Sequence, residues 1–196
     1  MINCPKNYNN INFELRYIDN IIPNEILIKI YSFCKNGLWE FVHASNHNKP
    51  SIFFFSLNVY TNIYFIEIFN KIIIPELDII NKENLIIDRA YVNGHQYGSP
   101  GNFHTDGRSS LENVGPSIII YLNCLWNPEW NGGTMFLIEN CNSGVEEYLT
   151  INFVPGRIVV FDPHIMHCAL DTSIYTKNEG ITRMTLAYHT IYKNNC

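Results

Sequence analysis

The spacing of apolar positions divides this chain into two parts. In the first, strand-like and helix-like rhythms are mixed. Residues 13–22 read as a strand. Pro23-Asn24-Glu25 then opens a helix, because proline is tolerated at a helix start and Glu25 suits the positive end of the helix dipole. Ile26, Leu27, Ile30, Phe33 and Cys34 recur at helical spacing until Asn36-Gly37 stops the run. Residues 38–43 and 51–59 read as strands. Thr61 is placed to cap a second helix that presents Ile63, Phe65, Ile66, Phe69 and Ile73, with Pro75 ending or kinking it.

From residue 85 the rhythm changes to short runs rich in β-branched and aromatic residues, separated by Gly, Pro and Asn turns. The runs are 85–92, 117–122, 133–138, 148–153, 157–161 and 181–192. Many short strands with turn signals between them predict a sandwich or barrel. The expected architecture is one mainly β (α+β) domain. Its core, over 85–196, is a double-stranded β-helix of the jelly-roll or cupin-like kind, and residues 1–84 supply supporting N-terminal helices. The Pro155-Gly156 turn joins two of the core strands. A chain of 196 residues is long enough to bury a sizeable core.

Charge narrows the possible partners. The net charge is −5 and no basic stripe stands out, so nucleic acid is not the expected partner. The six cysteines, at 4, 34, 124, 141, 168 and 196, show neither metal-pair spacing nor a disulfide framework, which suggests free thiols in a reducing compartment. The N-terminus carries no basic segment followed by an apolar run, and no apolar run approaches the ~20 residues of a membrane helix. A cytoplasmic chain with no membrane partner is expected.

His104-Thr105-Asp106 is the central chemical signal. Along a strand, residues i and i+2 share a face, so an imidazole and a carboxylate can point at one atom. A third ligand must come from elsewhere, and His167 follows the strand-like run 157–161. Two histidines and one carboxylate on one face of an octahedron leave three positions open, as in non-haem iron(II) oxygenases. Zinc takes the same donors, so a metal-holding cupin-like domain used for binding or structure stays open on the ligands alone. His164 is a rival for the distal position, but its spacing from Phe161 is wrong.

Five segments together resemble the 2-oxoglutarate- and iron(II)-dependent dioxygenases, in their prolyl-4-hydroxylase-like branch. DRAYVNG at 88–94 resembles the strand and turn before the proximal ligands, and GNFHTD at 101–106 the ligand turn itself. Tyr121-Leu122-Asn123, Trp126 and Gly132-Gly133 through Phe136 resemble the family's YLN…W…GG-x-x-F segment. The Pro155-Gly156-Arg157 run, with His167 six residues after Phe161, resembles the distal-histidine strand. GITRMTL at 180–186 resembles the strand that carries the cosubstrate cation. The resemblance covers about residues 86–192.

The resemblance implies roles. His104, Asp106 and His167 hold iron(II). Arg183 pairs with the distal carboxylate of 2-oxoglutarate, a task a planar guanidinium suits better than lysine. Tyr121 donates its hydroxyl to the same carboxylate, Thr185 assists from the face it shares with Arg183, and Tyr91, with Tyr97 as its rival, borders the cosubstrate. Dioxygen is the co-reactant and ascorbate a supporting reductant. The polar insertion 171–179 is expected to lie over the site. An acid at position 106 argues against the halogenase variation.

The expected activity is hydroxylation of a C–H bond in a prolyl or other amino-acid residue of a peptide or protein, or in a free amino acid. Two alternatives remain at this point. One is oxidative demethylation of nucleic acid, whose enzymes carry a second arginine six residues after the first; here that position is His189. The other is the non-catalytic cupin-like domain, which has no need of an anion clamp built from Arg183 and Tyr121. His189 should face the cavity near the metal, and Trp126 and Trp130 are candidate rim aromatics.

Overall fold

The computed structural model describes residues 15–43, 54–107, 113–139 and 146–193. The expected strand starts at residues 13 and 51 lie outside this set. Among the described residues, ten strands form two antiparallel sheets. They are β1 (Arg16–Ile18), β2 (Glu40–His43), β3 (Phe54–Asn58), β4 (Leu85–His95), β5 (Val114–Tyr121), β6 (Thr134–Glu139), β7 (Glu146–Ile151), β8 (Ile158–Phe161), β9 (Met166–Ala169) and β10 (Arg183–Tyr192). The larger sheet has the order β1-β8-β5-β10-β4-β3-β2, and the smaller has β7-β6-β9.

Helix α1 (Asn24–Lys35) starts as expected, with the amides of Ile26 and Leu27 donating to the Pro23 carbonyl. Leu27, Ile30 and Cys34 form its buried stripe, whereas Phe33 is half-exposed. At the far end the Trp39 indole donates to the Cys34 carbonyl at 2.8 Å, satisfying one of the acceptors a helix terminus leaves open. Helix α2 (Ile63–Ile68) is capped by the Asn62 side chain, which accepts from Tyr64 N at 3.0 Å; the structure uses Asn62 where the sequence pointed to Thr61. The run then widens into a π turn (Phe69–Ile73) and ends as α3 (Ile74–Glu76), around Pro75, which has no N–H for an earlier carbonyl.

The helices cover one face of the larger sheet. Leu27, Ile30, Phe65 and Phe69 pack there with Val92, Ile118, Ile120, Leu186 and Tyr188. A second apolar cluster of Tyr121, Phe136, Ile151, Phe153, Val159 and Phe161 lies where the two sheets meet. Strict alternation along β10 serves both sides. Met184, Leu186 and Tyr188 join the core under the helices, while Arg183, Thr185, Ala187 and His189 line a cavity on the other face. The Tyr188 hydroxyl ties sheet to helix by donating to the Phe65 carbonyl at 2.9 Å.

Three elements differ from expectation. Strand β4 continues to His95, past the turn expected at Asn93-Gly94, because its pairing with β3 and β10 continues: Gly94 faces Phe55, and His95 faces Arg183. The segment around His167 is itself a strand, β9, paired with β6. The 171–179 insertion contains a short helix, α4 (Ile174–Asn178). Among the described residues, no helix is long and apolar enough to cross a membrane.

Candidate active site

The cavity lies between the two sheets and has a volume of about 330 Å³. Its floor comes from two neighbouring strands in antiparallel register, with Arg183 opposite His95, Thr185 opposite Asn93, Ala187 opposite Tyr91 and His189 opposite Arg89. The smaller sheet contributes Thr134, His167 and Ala169, and the loop after residue 100 contributes His104, Thr105 and Asp106.

Backbone hydrogen bonds place His104 beside His167. The His104 amide donates to the His167 carbonyl at 3.0 Å and the His167 amide to the His104 carbonyl at 2.9 Å, forming an isolated antiparallel bridge. On one side of the bridge Gly101 N donates to Ala169 O, and on the other the amides of Asp106 and Gly107 both donate to Pro163 O. The two segments therefore clasp along their length, and no long-range accident of side-chain packing is needed to hold the ligands in place. The rings of Phe136 and Phe161 pack against the His167 imidazole at 5.8 and 4.6 Å between centroids.

The histidine tautomers follow from their partners. His104 Nδ1 lies 2.8 Å from the Asn102 carbonyl oxygen, and His167 Nδ1 lies 2.9 Å from that of Ile165. A carbonyl only accepts, so each Nδ1 carries the proton and each Nε2 keeps a lone pair. Both lone pairs face Asp106: His104 Nε2 is 3.6 Å from Oδ1 and His167 Nε2 is 3.6 Å from Oδ2. The three donor atoms lie within 4.8 Å of one another. Donors about 2.0–2.2 Å from a shared octahedral metal lie about 2.8–3.1 Å apart, so each imidazole would draw in on the carboxylate by about half an ångström or somewhat more to share an ion. The set fits a divalent metal by donor type, tautomer and spacing.

The Asp106 side chain is 7% exposed. Burial pushes its carboxyl up, but the surrounding imidazoles of His189, His167 and His104 outweigh this and hold it below the usual carboxylate range. Burial also pushes His167 below the usual imidazole value and His189 down to about 4. His189 places Nδ1 3.6 Å from Asp106 Oδ2 and Nε2 2.6 Å from the Tyr91 hydroxyl, on the cavity face and beside the ligand cluster. His164 stands outside it, half-exposed, with Nδ1 2.9 Å from Asp162.

Arg183 closes the other end of the cavity and is 1% exposed. Its Nε donates to the Gly132 carbonyl, its Nη2 lies 3.3 Å from Thr134 Oγ1, and its guanidinium sits 5.7 Å from the ring centroids of both Tyr121 and Phe153. Among the described residues no carboxylate pairs with it. Burial lowers its pKa to about 10, which still leaves it charged at neutral pH. A buried charge without a counterion costs several kcal/mol, a cost that an anion entering this end of the cavity would offset.

Other residues stand differently from expectation. Tyr121 is fully buried but does not line the cavity; its hydroxyl donates to Thr134 Oγ1 at 2.9 Å, with the Ile151 carbonyl oxygen at 3.1 Å. Thr134 is the group presented to the cavity there. Tyr91 lines the cavity, whereas Tyr97 is 43% exposed and lies 5.9 Å from the Lys177 ammonium. Trp126 stacks on Phe153 and packs behind Gly132, and Trp130 meets Trp126 edge-on, so neither forms a rim. The 171–179 segment does not line the cavity; Asp171 receives the Gly98 amide, and Thr172 bridges Asn131. Sequence reasoning missed Arg89, Asn93, His95 and Thr134. The i, i+2 alternation from Tyr91 could have found the first three, had the strand been extended in both directions.

No family model matches the sequence, and none of the curated proteins matches it. Solved structures do match the fold. A 2OG-Fe(II) oxygenase family oxidoreductase from Burkholderia pseudomallei is 12% identical, covering 93% of this chain and 87% of its own, with a TM-score of 0.66. A prolyl hydroxylase from Trichoplax adhaerens, in complex with a peptide fragment of the hypoxia inducible factor oxygen degradation domain, is 14% identical, covering 91% and 83%, with a TM-score of 0.65. HygX from Streptomyces hygroscopicus, with nickel and 2-oxoglutarate bound, is 11% identical, covering 93% and 84%, with a TM-score of 0.63. The fold is that of the 2-oxoglutarate- and iron(II)-dependent oxygenases, a double-stranded β-helix. Prolyl hydroxylases are among the proteins that share it.

Proposed function

We propose that the chain is an iron(II)- and 2-oxoglutarate-dependent dioxygenase that hydroxylates a C–H bond of a prolyl or other amino-acid residue. One observation carries this reading. A single cavity has a tautomer-fixed His-Asp-His cluster at one end and a buried guanidinium with no acidic partner among the described residues at the other. A structural cupin-like domain has no use for that second feature. The nucleic-acid reading gains nothing from it, since His189 occupies the position where a second arginine would stand.

In this reading His104, Asp106 and His167 hold the metal, and Arg183, with Thr134 and Thr185 beside it, holds the distal carboxylate of 2-oxoglutarate. Tyr121 orients Thr134, and Tyr91 borders the cosubstrate while fixing His189. An iron(II) ion held by His104, Asp106 and His167 would supply dioxygen activation coupled to the oxidative decarboxylation of 2-oxoglutarate to succinate and CO2. The protein's share is alignment of metal and cosubstrate at the two ends of one cavity.

The test is succinate release with iron(II), ascorbate and 2-oxoglutarate, screened with proline-containing peptides and free amino acids. Substrate-stimulated succinate is expected from the natural chain. His167→Ala should abolish turnover and weaken manganese(II) binding while leaving the thermal melt cooperative. Full activity and stoichiometric metal binding in that variant would overturn the assignment.

A further inference from the structure

The cavity contains a second cation, which the cosubstrate does not require. Arg89 stands on β4 opposite His189, at the end of the cavity where the His-Asp-His cluster lies. Two residues of β4, Asp88 and Arg89, occupy the space for one step on β10: His189 pairs with Arg89 and Thr190 with Ile87, leaving Asp88 as the extra residue of a β-bulge. Arg89 itself stays in register with His189 and reaches the cavity face by the same alternation as Tyr91 and Asn93.

Its guanidinium is poorly satisfied where it stands. Of five N–H donors, one reaches an acceptor among the described residues: Nη2 lies 3.4 Å from the Asp106 carbonyl oxygen, a long bond. Nε is buried with no hydrogen-bond partner, and the nearest carboxylate oxygen, on Asp88, is 3.6 Å from it. The side chain is 36% exposed, so one side meets solvent and the other the cavity. Arg183 and Arg89 thus mark opposite ends of one small chamber.

We infer that Arg89 anchors the carboxylate of the substrate, and that the substrate is a free amino acid and not an internal residue of a peptide. This rests on the function proposed above and narrows its substrate class. Three observations support it. A guanidinium whose Nη donors make one long hydrogen bond among the described residues, to the Asp106 carbonyl, suits a planar carboxylate. Asp88, 3.6 Å from Arg89, disfavours a second negative charge at the same place, so a monoanion fits better than a phosphate ester. The cavity, about 330 Å³, is at the small end of ligand pockets, about 300–1,000 Å³, and must also hold 2-oxoglutarate. The polar Asn93 Oδ1, buried without a hydrogen-bond partner on the same strand face, gives the chamber a further unsatisfied acceptor.

The experiment is calorimetric titration of the manganese(II)-loaded protein. 2-Oxoglutarate is titrated first, with Arg183→Leu as its control. L-Proline and L-prolinamide follow, then the other protein amino acids as free acids and as amides. At least one free acid should bind at least about tenfold more tightly than its amide, the scale of a lost charge-assisted contact. Arg89→Gln should erase that preference and Arg89→Lys should restore part of it. If no acid is preferred over its amide by the natural chain, or if the preference survives in Arg89→Gln, the inference fails. The comparison of acid with amide in the natural chain stands even if a variant misfolds. No binding of 2-oxoglutarate at all would instead sink the function proposed above.

Discussion

Arg183 illustrates how much chemistry one side chain carries in this chain. Its Nε is held by Gly132 and its Nη2 by Thr134, so the remaining donors are oriented before any ligand arrives. Replacing it by leucine removes charge-assisted hydrogen bonds, each worth roughly 1.5–3 kcal/mol. Arg183→Leu should therefore weaken 2-oxoglutarate binding at least about tenfold in a titration of the metal-loaded protein, since about 1.4 kcal/mol is a factor of ten. Tyr121→Phe should cost less, because its hydroxyl ends on Thr134 and the Ile151 carbonyl, behind the cavity wall. Unchanged affinity in Arg183→Leu would place the anion clamp elsewhere. The arginine was legible in the sequence from its strand position. The interposition of Thr134 was not, because which hydroxyl reaches the cavity depends on how β6 packs against β5.

At the scale of elements, the turn before β6 sets the position of that arginine. Gly132 has a φ of +76°, a conformation that costs an L side chain roughly 1–2 kcal/mol. A Cβ there would lie 3.0 Å from Trp126 Cζ2 and 3.2 Å from Arg183 Cδ. Gly132→Ala should lower the melting temperature and also weaken 2-oxoglutarate binding, because the added methyl presses on the arginine stem. A variant that melts lower yet binds the cosubstrate as before would show that the arginine tolerates the shift. The Gly132-Gly133 pair was visible in the sequence. The insertion after β9 was visible too, but its place was not. It folds as α4 and braces the Asn131 and Gly98 loops, because Asp171 and Thr172 find backbone partners there.

At the scale of the whole molecule, the first strand is fastened to the core by an ion pair. Arg157 donates from Nε and Nη2 to the two oxygens of Asp19, both at 2.8 Å, and stacks 4.1 Å over the Tyr17 ring. The hydrogen-bonded Arg157 guanidinium holds the Asp19 carboxyl below the usual carboxylate range, against a smaller opposing effect of burial. A carboxylate whose pKa is depressed by folding adds stability that is fully present above its unfolded value, near 3.9, and is lost as pH falls through the folded value. Asp19→Asn should therefore be less stable than the natural chain in urea at pH 7, and the gap should narrow as the pH drops below about 4. A gap independent of pH would mean that the pair acts through packing alone.

Local pattern decided a good deal. Period-two alternation was enough to put Arg183, Thr185 and His189 on one face. His104 and Asp106 were read as strand neighbours, but they stand in a loop whose direction is set by the bridge to His167 and the amide bonds to Pro163. It could not decide where β4 ends, because that depends on partners 30 and more residues away: pairing with β3 and β10 carries the strand on to His95 and adds Asn93 and His95 to the cavity. Nor could it reveal the bulge at Asp88, which exists only as a mismatch of count between two paired strands. The clasp between His104 and His167, which turns two distant histidines into one donor set, is likewise a backbone contact, between the loop after residue 100 and β9. Side-chain direction along a strand is a local property of the chain. Which strands meet, in what register and with what excess residue, is settled only when the sheets close on one another.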